Sequence, residues 1–229
     1  MTLSRQLFFD LDHTLWDYDA NAGETLRTLY ENYGLISHFS TLAQFRQAFH
    51  KCNHQLWHLY NIGEIDKKEI RDNRFTYILE AKEVAAKQLA RELSNFFVWE
   101  CPKKTTLLPN ALEVLEHLSS RYQLGIITNG FDDTQIEKLR NSNIEKYFSW
   151  VITSESIGYR KPAIQIFEFA LQASNGASQK AVMIGDNLDT DILGANLAGW
   201  ESIWYNPGKL SNNPSQPQIH DLLELLQIY

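Results

Sequence analysis

Residues 6–14, QLFFDLDHT, place a short apolar run directly before two acidic residues that are separated by one residue. The run lacks the alternation of apolar and polar residues that a half-exposed strand shows, which favours a strand buried on both faces. Two carboxylates this close repel each other unless a positive charge lies between them. Asp10 and Asp12 are therefore either ordinary turn residues or part of a cation site with chemistry of its own.

Further apolar runs of the same kind predict more buried strands, at 124–128, 150–153, 181–185 and 201–205. Amphipathic helical stretches separate these runs. Strands that alternate with helices predict an α/β fold: a Rossmann-like open parallel sheet with helices on both faces. The Pro/Asn/Ser-rich stretch at 205–218 is predicted as an irregular connection, and 219–229 as a final helix.

A long helical insert interrupts this pattern after the first strand. From residue 16 to residue 104 the sequence contains one helical pattern after another and nothing that resembles a strand. The sequence therefore predicts two domains. Residues 1–15 and 105–229 form the α/β core, and residues 16–104 form an inserted all-helical domain.

The composition narrows the class of protein. The chain has 229 residues, 44% of them hydrophobic, and a formal net charge of −7. That charge repels nucleic-acid phosphates, so we expect no polymeric nucleic-acid partner, while a small phosphorylated ligand remains compatible with a local site. We find neither a signal-peptide pattern nor an apolar run of membrane-spanning length, and Cys52 and Cys101 are too few for a disulfide scaffold. We expect a cytoplasmic protein without a membrane partner.

Polar residues gather where the predicted strands end. In an open parallel sheet, ligands bind at the carboxyl ends of the strands. The polar residues at or just beyond such ends are Asp10, Asp12, Thr128, Asn129, Asp186, Asn187 and Asp191. Lys161 stands directly before Pro162, a position that suits the first turn of a helix. Scattered turn residues would not be expected to converge on one edge in this way.

These residue types suit phosphoryl chemistry. Asp10 and Asp186, with a backbone carbonyl and waters, can supply the hard oxygen ligands of an octahedral Mg²⁺. A carboxylate beside a metal and a phosphate can attack phosphorus and form an aspartyl-phosphate. Asp12 can protonate the leaving oxygen and then activate water. Thr128 and the amides that follow it can hold phosphate oxygens, and Lys161 can balance the negative charge.

Four motifs, in order, resemble those of haloacid dehalogenase-like (HAD) phosphatases: DLDHT at 10–14, IITNG at 126–130, YRKP at 159–162 and GDNLDTD at 185–191. The resemblance implies Asp10 as nucleophile and Asp12 as acid and base. It implies Mg²⁺ bound by Asp10, the Asp12 carbonyl and Asp186. It implies phosphate contacts from Thr128, Asn129 and Lys161, with Asn187 and Asp191 near the metal or behind its ligands. The helical insert corresponds to the mobile cap of that family.

A closer resemblance is to the pyrimidine 5′-nucleotidase group, carried by LWHLYNIGEIDKKEIRDNRF at 56–75, SESIGYRKP at 154–162 and GDNLDTDILGANLAG at 185–199. It implies hydrolysis of UMP, dUMP, dTMP and modified pyrimidine nucleotides. Trp57, Tyr60 and Arg74 in the insert are candidates for contact with the base, although aromatic residues at helical spacing more often pack in a core. We expect a monomer or dimer.

Two other functions remain open at this point. One is a phosphatase for small phosphates such as phosphoglycolate or sugar phosphates, because relatives within the superfamily differ mainly in the cap. The other is a binding or regulatory module that has kept the fold and lost activity. The module is disfavoured because Asp10, Asp12, Lys161 and Asp186 are all intact.

Overall fold

The computed structural model of the chain describes residues 5–176, 180–210 and 216–229. The chain divides into two compact units, one formed by Met1–Tyr18 with Thr105–Tyr229 and the other by Asp19–Lys104. The first boundary lies three residues beyond the predicted one. Trp16 explains the difference, because its side chain is fully buried and its backbone bridges to Asp12 and to Leu107 within the α/β unit.

The α/β unit contains one parallel sheet of six strands in the described residues. The strands are β1 (Gln6–Phe9), β2 (Gln123–Thr128), β3 (Phe148–Thr153), β4 (Ala181–Gly185), β5 (Glu201–Tyr205) and β6 (Gln218–Ile219). Their order is β3-β2-β1-β4-β5-β6, and every neighbouring pair is parallel. The predicted Rossmann-like parallel sheet is thus confirmed, with β1 at its centre.

The helical unit contains four α-helices in the described residues, two of which begin at polar side-chain caps. The helices are α1 (Tyr18–Asn32), whose first residue belongs to the α/β unit, α2 (Leu42–Asn61), α3 (Lys67–Glu80) and α4 (Lys87–Glu100). The side chains of Thr41 and Asp66 accept hydrogen bonds from backbone N–H groups in the first turns of α2 and α3. Such caps satisfy donors that a helix start leaves without intrahelical partners.

The α/β unit also contains helices, most of which connect its strands, while the last follows β6. They are α5 (Ala111–Ser119), α6 (Asp132–Asn141), α7 (Ser154–Ile157), α8 (Ile164–Ala173), α9 (Leu193–Leu197) and α10 (Leu225–Ile228). A π-helical turn, Leu188–Ile192, precedes α9. One core cluster joins Phe8 of β1 to Phe167 of α8 and to Trp200. Within the described residues, none of the helices combines the length and the apolar character that a membrane crossing needs.

The C-terminal prediction was wrong in part. The residues predicted as connection and final helix contain the edge strand β6 and only the short helix α10. The strand forms because the N–H of Trp204 donates to Pro217 O and the N–H of Asn206 donates to Ile219 O. This pairing joins residues that are distant in the sequence, so local composition did not reveal it. Residues 211–215 of the predicted connection lie outside the described residues.

Candidate active site

Three carboxylates meet at the carboxyl edge of the sheet. Asp10 follows β1 and Asp186 follows β4, and these strands are neighbours in register, with Phe9 beside Ile184. The N–H of Asp10 continues the pairing by donating to Ile184 O at 2.9 Å. One oxygen from each of Asp10, Asp186 and Asp191 lies within 4.8 Å of the others. The structure therefore brings both predicted metal acids together and adds Asp191 to them.

The π-helical turn places Asp191 in this cluster. The side chain of Asn187 accepts hydrogen bonds from the N–H groups of Asp189 and Thr190 and so caps the turn. The N–H of Asn187 donates to Asp191 Oδ2 at 3.1 Å. A Cβ at Gly185 would lie 2.2 Å from the same oxygen, so only glycine leaves room for this carboxylate. Asn187 itself is exposed, and it helps to hold Asp191 in place by capping the turn and by donating its N–H.

Lys161 is the buried cation of the site. Its Nζ lies 2.6 Å from Asp10 Oδ1, 2.7 Å from Asp191 Oδ1 and 2.6 Å from Ile127 O. An ammonium has three N–H donors, so these three acceptors can use all of them. The phosphate contact of Lys161 stays a prediction, while its contact with two carboxylates is a feature of the structure.

The charges at this edge do not balance. Three carboxylates face one lysine. Burial, together with the neighbouring carboxylates, raises the pKa of Asp10 to about 8 and that of Asp186 to about 7, although Lys161 acts against both shifts. Burial alone would lower the pKa of Lys161, but Asp10 and Asp191 raise it. A set of buried oxygen ligands with excess negative charge fits a hard divalent cation such as Mg²⁺.

The end of β2 supplies Thr128 and Asn129. The amide of Asn129 pairs with the backbone of Lys161: its Nδ2 donates to Lys161 O at 2.9 Å, and its Oδ1 accepts from Lys161 N at 2.8 Å. Asn129 thus fixes the loop that carries the lysine. Thr128 Oγ1 accepts from the N–H of Gly130 at 3.0 Å. A phosphate contact from either residue stays a prediction.

Asp12 is held apart from the three acids, by side chains that we did not predict from the sequence. Both of its carboxylate oxygens lie 2.7 Å from Nζ of Lys138, and Gln135 Nε2 donates to Oδ2 at 3.0 Å. Lys138 and Gln135 stand three residues apart on α6, directly after the second motif. That spacing places both on one helix face and was the available signal. Thr14 was also missed, and its hydroxyl donates to Asp186 Oδ1 at 3.3 Å.

The three candidates in the helical unit differ in exposure. Trp57 is half-buried, and its ring meets that of buried Tyr60 edge to face at 5.4 Å. Arg74 is buried, donates to Asn53 Oδ1 at 2.9 Å, and stacks its guanidinium on the rings of Phe49, Phe75 and Phe97. Such contacts make Arg74 part of the core of its own unit, which does not favour the predicted role in substrate binding. For Trp57 and Tyr60, substrate contact stays a prediction.

Comparison with known proteins decides the family. Residues 7–205 match the family model of haloacid dehalogenase-like hydrolases. The chain belongs to this family. A solved structure of the HAD-hydrolase YfnB from Bacillus subtilis, bound to magnesium, superposes with a TM-score of 0.88 at 27% identity and covers 99% of both chains.

Several relatives that match most of the chain have named phosphatase activities. Pyrimidine 5′-nucleotidase YjjG of Escherichia coli is 30% identical over 96% of both chains. Pyrimidine 5′-nucleotidase PynA of Streptococcus pneumoniae is 31% identical over 96% of this chain and 94% of its own. A phosphoserine phosphatase of Thermus thermophilus is 30% identical over 96% of both chains. This HAD-family member is a phosphatase, which confirms the predicted enzyme class of phosphoric monoester hydrolase.

Proposed function

We propose that this phosphatase is a Mg²⁺-dependent 5′-nucleotidase that hydrolyses pyrimidine nucleoside monophosphates through an aspartyl-phosphate on Asp10. The observation that carries the proposal is the position of the Asp10 carboxylate. It lies at the end of the central strand, bonded to Lys161 at 2.6 Å and grouped with Asp186 and Asp191. A carboxylate so placed can face both a cation and a phosphate.

The acid cluster is the proposed metal site. Asp10 and Asp186, with the Asp12 carbonyl, would hold Mg²⁺, and Asp191 would lie beside them. When bound, the cation supplies positive charge to the phosphate oxygens and to the carboxylates. The excess of three clustered acids over one lysine supports this assignment. The structure of YfnB with magnesium also supports it, since that relative matches the whole length of the chain.

The proposed chemistry has two steps. In the first, a carboxylate oxygen of Asp10 forms a bond to phosphorus, the bond from phosphorus to the nucleoside oxygen breaks, and Asp12 gives its proton to that oxygen. In the second, Asp12 takes a proton from water, the water oxygen attacks phosphorus, and the bond from phosphorus to Asp10 breaks. Inorganic phosphate leaves, and both carboxyl groups return to their starting states. Thr128, Asn129 and Lys161 would hold the phosphate, and Lys161 would exchange one of its three acceptors for a phosphate oxygen.

The substrate class is supported by the two pyrimidine nucleotidases, whose similarity extends across the helical unit as well as the sheet. The core residues recognise phosphate and metal, so selection of the leaving group must come from elsewhere in the chain. The half-buried ring of Trp57 offers a flat apolar surface of the kind that contacts a base. The second candidate is a phosphatase for a small phosphate, favoured by the phosphoserine phosphatase and by a glyceraldehyde 3-phosphate phosphatase of Pyrococcus abyssi, 33% identical over 89% of this chain and 82% of its own.

A panel of substrates separates the two candidates. We expect kcat/KM for dUMP, UMP and dTMP to exceed that for dAMP by about 10- to 100-fold, because a pocket shaped for one ring excludes two. Nucleotides with a small substituent on the pyrimidine ring should also be accepted, since a hydrophobic pocket discriminates less against one small added group than against a second ring. The measurement is phosphate release with Mg²⁺, with phosphoserine, phosphoglycolate and glyceraldehyde 3-phosphate in the same panel. A higher kcat/KM for any of these small phosphates, or for dAMP, would refute the nucleotidase and leave the phosphatase intact.

The setting of the reaction is also proposed. We infer a free nucleotide in the cytoplasm as the substrate, because the net charge of −7 opposes binding to a nucleic-acid polymer. We also propose that the inserted helical domain, predicted as residues 16–104, acts as the cap domain of this family. A monomer or a dimer is compatible with every residue named here.

A further inference from the structure

The carboxylate of Asp12 lies in a cradle made by two side chains of α6. Lys138 Nζ donates to both of its oxygens at 2.7 Å. Gln135 Nε2 donates to Asp12 Oδ2 at 3.0 Å and also to Thr128 Oγ1 at 2.7 Å. Contacts to both oxygens fix the rotation of a carboxylate as well as its position. The amide of Gln135 further ties that carboxylate to the residue proposed to hold phosphate.

Lys138 is itself held in place. Only 6% of the residue is exposed, although lysine is among the residues most often found on the surface. Its ammonium lies 4.6 Å from the ring centre of Trp16 and 5.8 Å from that of Tyr18. Cation–π contacts of this kind favour one position for an otherwise flexible chain. Lys138 therefore presents a fixed donor to Asp12.

Gln135 depends on a glycine in the second motif. The residue is fully buried, and a Cβ at Gly130 would lie 1.8 Å from its Nε2. The backbone at the end of β2 thus leaves the space that this amide occupies between Asp12 and Thr128. A buried lysine and a buried amide N–H are costly unless they are paired, and here Lys138 Nζ and Gln135 Nε2 pair with the Asp12 carboxylate. Among the described residues, Gln135 Oε1 has no hydrogen-bond partner.

We propose that Lys138 and Gln135 are positioning residues for Asp12. They fix the orientation of its carboxylate beside the phosphate-binding end of β2, so that one oxygen is aligned for transfer of a proton to the leaving oxygen and then from water. This inference rests on the proposed role of Asp12 as acid and base. A misplacement of about 1 Å can lower a rate about 100-fold. Loss of the contacts from Lys138 and Gln135 should therefore lower the rate of turnover.

A double-mutant cycle tests the inference. The variants are Asp12→Asn, Lys138→Met and both together. The readout is kcat/KM for the best alkyl phosphate of the panel above and for p-nitrophenyl phosphate, whose leaving oxygen needs little protonation. We expect Lys138→Met to lower kcat/KM for the alkyl phosphate about 100-fold and that for the aryl phosphate less than about tenfold. In the Asp12→Asn background the same change should cost less than about threefold, because Lys138 acts through Asp12.

Matched variants separate positioning from folding. Arg140→Met removes a cation from the exposed side of α6, where Arg140 pairs with Glu145, and should leave both rates unchanged. Gln135→Leu is a second cradle variant and should lower the alkyl-phosphate rate about tenfold with the same preference for the aryl ester. Thermal unfolding checks that each protein is folded.

The outcomes distinguish the inference from the function on which it rests. If Lys138→Met and Gln135→Leu each lower kcat/KM equally for the alkyl and the aryl phosphate, the positioning role is overturned. It is also overturned if these losses multiply with the loss caused by Asp12→Asn. If Asp12→Asn itself fails to discriminate between the two esters, the acid role of Asp12 falls and the inference falls with it. If the loss caused by Lys138→Met requires Asp12 and is larger for the alkyl phosphate, both the acid role of Asp12 and the positioning role of Lys138 are supported.

Discussion

The variant Asp10→Asn is expected to fold normally and to lose at least about four orders of magnitude in kcat, the scale seen when a nucleophile is removed. An amide oxygen at this position does not attack phosphorus at a useful rate. The substitution also removes one of the two carboxylates, Asp10 and Asp191, that contact Lys161 Nζ. The measurement is phosphate release under saturating substrate and Mg²⁺, with thermal unfolding to confirm the fold.

Asp189 provides the matched control for this variant. It lies in the fourth motif, close in sequence to the acid cluster, but it is exposed. Asp189→Asn should therefore change kcat by less than about threefold, since surface substitutions away from a site have small effects. A folded Asp10→Asn protein that keeps activity within about tenfold of the unaltered chain would be incompatible with a nucleophilic Asp10.

Removal of divalent cations is expected to abolish activity, and Mg²⁺ is expected to restore it fully. Without a cation, three clustered carboxylates face a single lysine, and the phosphate would add further negative charge to the same place. The measurement is turnover after exhaustive chelation, followed by titration with Mg²⁺. Activity that survives chelation at more than about one per cent would contradict a metal-dependent site.

The affinity for Mg²⁺ should rise with pH. The pKa of Asp10 is raised to about 8 and that of Asp186 to about 7, so the cation competes with protons below these values. The raised pKa values also mean that the cation-free protein is stabilised by these protons at low pH and loses that stability as pH rises through about 7 to 8. Mg²⁺ should therefore raise Tm more at about pH 8 than at about pH 6. In Asp186→Asn, addition of Mg²⁺ should no longer raise Tm at either pH.

The convergence of the site could be predicted because it follows from the sheet. Parallel strands present their carboxyl ends at one edge, so acids that follow such strands were expected at that edge. The structure adds the strand order, in which β1 and β4 are neighbours and their acids meet. The buried, unalternating runs identified five of the strands, and the spacing of the motifs identified the acids that follow them. Local patterns of this kind are enough when the contact depends on backbone register.

Other features depend on side chains that reach across the fold. The contact of Lys138 with Asp12 joins residues 126 positions apart, and a lysine on an amphipathic helix is read as solvent-exposed until its surroundings are known. Arg74 is a candidate for contact with the base from its place in the motif-bearing stretch of the insert, whereas its contacts with three phenylalanine rings from different helices appear only in the structure. The strand β6 was missed because two residues carry no periodicity, and only pairing with β5 makes them a strand.

The proposed mechanism depends on an aspartyl-phosphate at Asp10, and trapping this intermediate tests the mechanism directly. In Asp12→Asn fed with p-nitrophenyl phosphate and Mg²⁺, the first step proceeds without a proton donor, and the second lacks its base. Acid quench, proteolysis and fragmentation mass spectrometry then locate the phosphoryl group. We expect about one phosphoryl group per enzyme molecule, attached to the side chain of Asp10. Treatment with hydroxylamine should remove this phosphoryl group. Phosphate attached to His13 or to any other residue, or active enzyme that never carries phosphate, would contradict it.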